Sequence, residues 1–196
     1  MKKSLGIIIS IIVIVFVLYR FFAGFYNTAI TYQENAKTAW SKVESAYQRR
    51  ADLIPNLVNT VKGYAAHEKE TLEAVIKARA AATQTKIDPS NITPEQLAKF
   101  QQAQQGLSGA LSRLLVTVEK YPDLKADKHF LELQSQLEGT ENRIKVERDR
   151  FNDAVNKYNI HIKRFPGNLL AGMFGFKEMA RFQSEKGAEK APKVEF

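Results

Sequence analysis

Leu5 to Tyr19 reads LGIIISIIVIVFVLY, a stretch that is apolar on every side, with Ser10 the only small polar residue before Arg20. The pattern resumes as Phe21-Phe22-Ala23-Gly24-Phe25. At 1.5 Å per residue, Leu5 to Phe25 covers about 30 Å, the thickness of a bilayer's hydrocarbon core. A run with no polar face suits lipid on all sides, so residues 1–25 are expected to form a transmembrane anchor with Ile12 near its middle and Tyr19 toward its end. Arg20 can snorkel to the surface, and Phe21, Phe22, Phe25 and Tyr26 can sit at headgroup level as an aromatic belt. A secretory signal peptide shares the basic start and the apolar run, but it wants a small-x-small cleavage site. Ala23-Gly24 is the nearest match, and large aromatics surround it.

Beyond residue 25 the pattern changes from uniform to striped. Phe130, Leu137, Ile144, Phe151, Tyr158 and Phe165 recur every seven residues, with Leu133, Val155 and Ile162 completing a coiled-coil-like seam. Leu97, Phe100, Gln104, Leu107, Leu111, Leu114, Val118 and Tyr121 repeat it at alternating spacings of three and four, with Gln104 the one polar member. Ile54, Val58, Val61, Ala65, Leu72 and Val75 form a third stripe, and Ala36, Trp40, Val43 and Tyr47 a weaker one. Pro55, Asp88-Pro89 to Pro94, Tyr121-Pro122 and Phe165-Pro166-Gly167 punctuate these segments. The pattern predicts an all-α chain in which residues 26–165 form an antiparallel four-helix bundle of long helices. The first helix is expected to run unbroken out of the membrane as a rod and to end at a tight corner. There Arg49 and Arg50 would face the negative helix end, Asp52 would cap the second helix, Pro55 would open it, and Asn56 would lie beside the turn.

Charge matters once it is located. The net +8 divides into +3 on residues 1–20, +2 on residues 21–160 and +3 on residues 161–196. A nucleic-acid-binding domain concentrates its excess on one face. Here the excess sits beside the apolar N-terminus and on the C-terminal tail, which favours a membrane surface and argues against nucleic acid. The two lysines ahead of the apolar run, against the lone Arg20 behind it, place the N-terminus in the cytoplasm and the body outside it. The absence of cysteine excludes disulfides, thiolate metal sites and cysteine nucleophiles.

The chemistry-bearing motifs are sparse. His67-Glu68 begins a zinc-protease pattern, but position 71 is Thr where a second His is needed. His129 and His161 are remote in sequence, so no metal or cofactor site is expected. Gly167, Gly172 and Gly175 follow no strand, which removes the phosphate-loop and dinucleotide readings, and no serine elbow occurs. An enzyme would need Asp52, His67 and Glu68 to converge in one pocket. The stretch Phe165, Pro166, Gly167, Asn168, Leu169, Leu170, Ala171, Gly172, Met173, Phe174, Gly175, Phe176, continuing to Met179 and Phe182, is a dense apolar cluster beside Lys177 and Arg181. Such surface must be covered. It can cap the bundle, lie on lipid, or insert into a neighbouring subunit; residues 183–196 form a polar tail.

The runs RRADLIPNLV, VKGYAAHE and FPGNLLAG, within Ala39 to Arg79 and Glu141 to Phe176, closely resemble the LemA family of bacterial membrane-anchored helical proteins. The resemblance implies a short N-terminus, one transmembrane helix and a helical bundle, and it supplies little chemistry. It also points to the bacterial inner membrane. Together these readings predict a non-enzymatic, single-pass protein that associates with itself as a scaffold at the cell envelope. An adaptor presenting a helical face to another membrane protein, such as an envelope protease or stress component, is the alternative.

Overall fold

A computed structural model describes residues 2–183, with side chains from residue 5 onward. Among them there are helices and connecting turns and no strand: α1 (Lys2–Tyr64), α2 (Lys69–Gln84), α3 (Pro94–Val118), α4 (Pro122–Lys125), α5 (Lys128–Lys163) and α6 (Gly167–Phe174). The described residues divide into two compact units. The first holds residues 2–49, 89–91 and 140–179; the second holds 50–88, 92–139 and 180–183.

The expected corner at Arg49, Arg50, Asp52, Pro55 and Asn56 does not exist. All five lie inside α1, which continues for 63 residues to Tyr64. Proline ordinarily breaks a helix because it lacks an N–H and leaves the carbonyl four residues earlier without a donor. That carbonyl belongs to Ala51, and the half-buried Arg79 of α2 donates to it from Nε at 2.7 Å. A side chain thus supplies the bond that Pro55 cannot. Asp52 and Asn56 are exposed on the helix flank, and Arg49 is exposed one turn earlier.

The real break falls at residues 65–68, inside the segment whose stripe suggested a single helix. Gly63 gives weak local support there. Contacts on both sides fix the turn: the Tyr64 hydroxyl donates to Asp127 Oδ2 at 3.0 Å, and the Tyr121 hydroxyl donates to Glu68 Oε1 at 3.0 Å.

In the second unit, five helical segments share one apolar cluster, to which α4 adds Leu124. It takes Ile54, Leu57, Val58 and Val61 from α1, Leu72, Val75 and Ala82 from α2, Leu107, Ala110, Leu111, Leu114 and Val118 from α3, and Phe130 from α5. Burying a Leu or Ile side chain contributes roughly 1.5–3 kcal/mol, so this cluster dominates the stability of the unit. α3 opens with a capping box, in which Gln96 N–H donates to Thr93 Oγ1 and Thr93 N–H donates to Gln96 Oε1, with Pro94 at the first helical position. α5 opens on Asp127, whose Oδ1 accepts from Phe130 N–H at 2.9 Å.

In the first unit the predicted stripes of α1 and α5 face one another. Ala36, Trp40, Val43 and Tyr47 are all buried, and Trp40 meets Phe151 edge to face with ring centroids 5.3 Å apart. Ile144, Phe151, Val155, Tyr158 and Ile162 are buried as their spacing predicts. Phe165, the last member of that heptad series, departs from it and is exposed, because α5 ends at Lys163 and the chain turns at Pro166.

Candidate functional site

The residues that the sequence singled out on α1 fall into two groups. Every residue from Leu5 through Phe21 is exposed, including Ile12, Tyr19 and Arg20. α1 is the described helix long and apolar enough to cross a membrane. Phe25 belongs to the second group. It is buried, and it marks where α1 stops being uniformly apolar and exposed and starts to carry one buried stripe.

Around Phe25 the first unit builds an aromatic seat. The His161 ring stacks on Phe25 at 4.7 Å and 17°, and its Nε2 donates to the Phe25 carbonyl at 3.1 Å, which puts the proton on that nitrogen. Phe174 and Phe176 lie 6.4 and 6.3 Å from Phe25, and Tyr26 meets the same two rings at 5.2 and 5.6 Å. Gly167 makes the seat possible. A Cβ there would come within 2.7 Å of Phe25 Cε2 and 2.9 Å of the His161 carbonyl oxygen. α6 then ends at Gly175, whose φ of 74° lies in the left-handed region, and Phe176 N–H returns to the Ala171 carbonyl at 2.9 Å. This is the turn that glycine favours after a helix.

Past α6, side chains of α5 bind the backbone that follows. The Tyr158 hydroxyl donates to the Lys177 carbonyl at 2.9 Å. The buried Asn159 amide pairs with both backbone groups of Met179, donating to its carbonyl at 2.9 Å and accepting from its N–H at 3.0 Å. Lys163 Nζ reaches Glu178 Oε1 at 2.6 Å. Burial holds the Tyr158 hydroxyl above its usual range. These latches escaped the sequence reading, because a Tyr or Asn on an apolar helix face gives no sign of which backbone it will meet.

The apolar C-terminal stretch therefore divides. Gly167, Leu170, Ala171 and Met179 are buried, while Phe165, Pro166, Asn168, Leu169, Met173 and Phe174 are exposed and Phe176 is half-buried. The segment covers part of the first unit with one face and presents the other.

The second unit holds two polar features. The buried Arg50 donates from Nη2 to Gln104 Oε1 at 2.6 Å and from Nη1 to Ser108 Oγ at 3.0 Å, and Gln104 Nε2 donates to the Ala82 carbonyl at 3.3 Å. An open groove of about 420 Å³ lies between the α1 residues Leu53, Asn56, Asn59 and Thr60 and the α5 residues His129, Glu132, Leu133 and Gln136. Asp52 does not join His67 and Glu68. It lies twelve residues before the end of α1, roughly 18 Å along the axis, whereas Glu68 faces Tyr121 in the turn beyond. Among the described residues no group of three His, Asp or Glu side chains is placed to hold a metal ion.

The LemA family model matches residues 39–196. Magnetosome protein MamQ 2 of Paramagnetospirillum magneticum is 32% identical over 184 residues, covering 85% of this chain and 67% of its own. Magnetosome protein MamQ of Magnetospirillum gryphiswaldense is 30% identical over the same shares of each chain. Protein LemA of Metamycoplasma hominis is 25% identical over 179 residues, 91% of this chain and 78% of its own. With a match over most of its length and relatives at this identity, the chain belongs to the LemA family.

Proposed function

We propose that this is a non-enzymatic, single-pass membrane protein of the bacterial cell envelope, anchored by residues 1–25, whose helical body self-associates as a scaffold. The observation that carries the reading is the continuity of α1. One helix begins as an exposed, all-round apolar run and continues, without interruption at Pro55, into the apolar stripe that its neighbours bury. An exposed run of that length belongs in lipid, and a continuous helix joins it directly to the buried α1 stripe of the first unit. The charge bias at the N-terminus supports a cytoplasmic start in the inner membrane and an extracytoplasmic body, and the helices from residue 26 to 165 are read as an antiparallel four-helix bundle. Relatives named for a magnetosome rather than for a reaction suit a structural role.

The test is the mass of the full-length protein extracted in mild detergent, measured by light scattering, with electron micrographs of the same peak. A large, uniform particle is the expected result. A strict monomer, both at high concentration and after crosslinking in native membranes, overturns the scaffold. An adaptor role is the second reading, favoured by the open polar groove on the second unit. Crosslinked capture separates the two, since a scaffold returns mostly itself and an adaptor returns a different membrane protein.

A further inference from the structure

The face that α6 turns away from Phe25 has an apolar stripe with no protein over it. Leu169 and Met173, one turn apart on α6, are 62% and 72% exposed, and Phe165 in the turn before the helix is 76% exposed. No charged residue occurs from Phe165 through Phe176. Gly167, Leu170 and Ala171 already bury the opposite face. A helix apolar on both sides calls for a second apolar environment.

Two features identify that environment. The first is position. Gly167 presses on Phe25, and Phe174 packs on Phe25 and Tyr26. α6 therefore sits beside the first turn of α1 that follows the exposed apolar run ending at Phe21. Its uncovered stripe continues the surface that requires lipid. The second is charge. Lys163 and Arg164 precede the uncharged stretch and Lys177 follows it, all exposed, while Arg20 stands on α1 one turn before the seat. Glu178, the acidic residue nearby, is held by Lys163. An apolar centre with a cationic rim fits the chemistry of an anionic phospholipid surface.

We propose that α6, with the turn before it, is an interfacial segment that inserts Phe165, Leu169 and Met173 into the headgroup and acyl boundary of the same bilayer that α1 crosses, with Arg164 and Lys177 on the headgroups. The proposal rests on the anchored reading of α1. Its consequence is mechanical. A helix held at one point is free to spin about its axis, whereas a second contact, seated rigidly through Gly167 and Phe25, fixes which side of the first unit faces the membrane.

Because the chain has no cysteine, single labels can be placed cleanly in the full-length protein. Leu169→Cys, Met173→Cys, Ile12→Cys and the exposed control Val116→Cys would each carry an environment-sensitive fluorophore. The proteins would be reconstituted in phosphatidylcholine vesicles, with and without phosphatidylglycerol, containing lipids brominated at shallow or deep positions. The expected result is a blue shift and loss of emission with shallow bromines at 169 and 173, stronger with phosphatidylglycerol. Deep quenching is expected at 12 and none at 116. Water-like emission at 169 and 173 with deep quenching at 12 overturns the interfacial segment and leaves the anchor standing. Emission at 169 and 173 that is shielded from water but untouched by brominated lipid also overturns it, because protein then covers the stripe. Equal shallow quenching with and without phosphatidylglycerol removes the headgroup role of the cations. Failure to quench at 12 brings down the anchor and the inference together.

Discussion

The two ends of the second unit are tied by side-chain hydrogen bonds of similar length but very different surroundings. At one end Arg50, Gln104 and the Ala82 carbonyl are joined in the interior. At the other, Tyr64 meets Asp127 and Tyr121 meets Glu68 where water has access. The contrast shows that the environment of a bond, more than its length, sets its energetic weight. A hydrogen bond lost in the interior leaves its partner unsatisfied, whereas one lost at the surface is replaced by water.

The largest effect is expected from Gln104→Ala. It removes the side-chain oxygen that accepts from the Arg50 guanidinium and the amide that satisfies the end of α2; Arg50 keeps Ser108, and losing a buried hydrogen bond to a charged group costs about 1.5–3 kcal/mol. Denaturant unfolding in detergent micelles would read this directly, and a loss close to that of a surface substitution would erase the contrast between the two ends.

The next is Arg79→Ala, which orphans the Ala51 carbonyl and should cost about 1–2 kcal/mol. In a Pro55→Ala background most of that cost should disappear, because residue 55 then supplies its own N–H. A double-mutant cycle measures the coupling, and additive losses would show that Arg79 does not stand in for the missing amide.

Asp127→Ala should be milder and should depend on pH. The Phe130 N–H, first among its partners, together with the Tyr64 hydroxyl holds the Asp127 carboxyl below its usual range. A lowered folded pKa gives stability that is present above the ordinary carboxylate range and lost as pH falls through the folded value. Tyr64 responds in the opposite direction. Its hydrogen bond to Asp127 raises its pKa above 10.0, so its contribution is present below the ordinary tyrosine value and is lost as pH rises through the folded one. Stability curves of wild type and Asp127→Ala should converge at low pH; parallel curves would refute the linkage.

Tyr121→Phe is expected to have the smallest effect, since Glu68 regains water when the hydroxyl leaves. Its pKa is raised chiefly by the hydrogen bond to Glu68, so removal should also flatten the alkaline limb of the unfolding profile. A loss as large as that of Gln104→Ala would mean that the exposed end is as dependent on its bonds as the interior one.

Much of the helical architecture was legible because burial repeats with the helix period. The stripe from Leu97 to Val118 is buried at every position, Gln104 included, and the α5 heptads hold until Phe165. Pro55 was misread because the rule that proline ends a helix assumes no outside donor, and Arg79, distant in sequence, provides one. Leu169 and Leu170 show the same limit at the candidate site. They are neighbours of identical type, yet one faces outward and the other inward. Which of them is buried depends on where Gly167 meets Phe25, a contact between residues more than a hundred positions apart.

By itself, then, the sequence determined the helical class, the apolar run that can span a bilayer and most of the positions that form interior stripes, since these follow from residue type and local period. Only the tertiary structure decided where α1 ends, which polar groups are held in the interior and which face of α6 remains uncovered. Those outcomes depend on donors, rings and close approaches that residues far apart in the chain bring to one place, and no local pattern encodes such meetings.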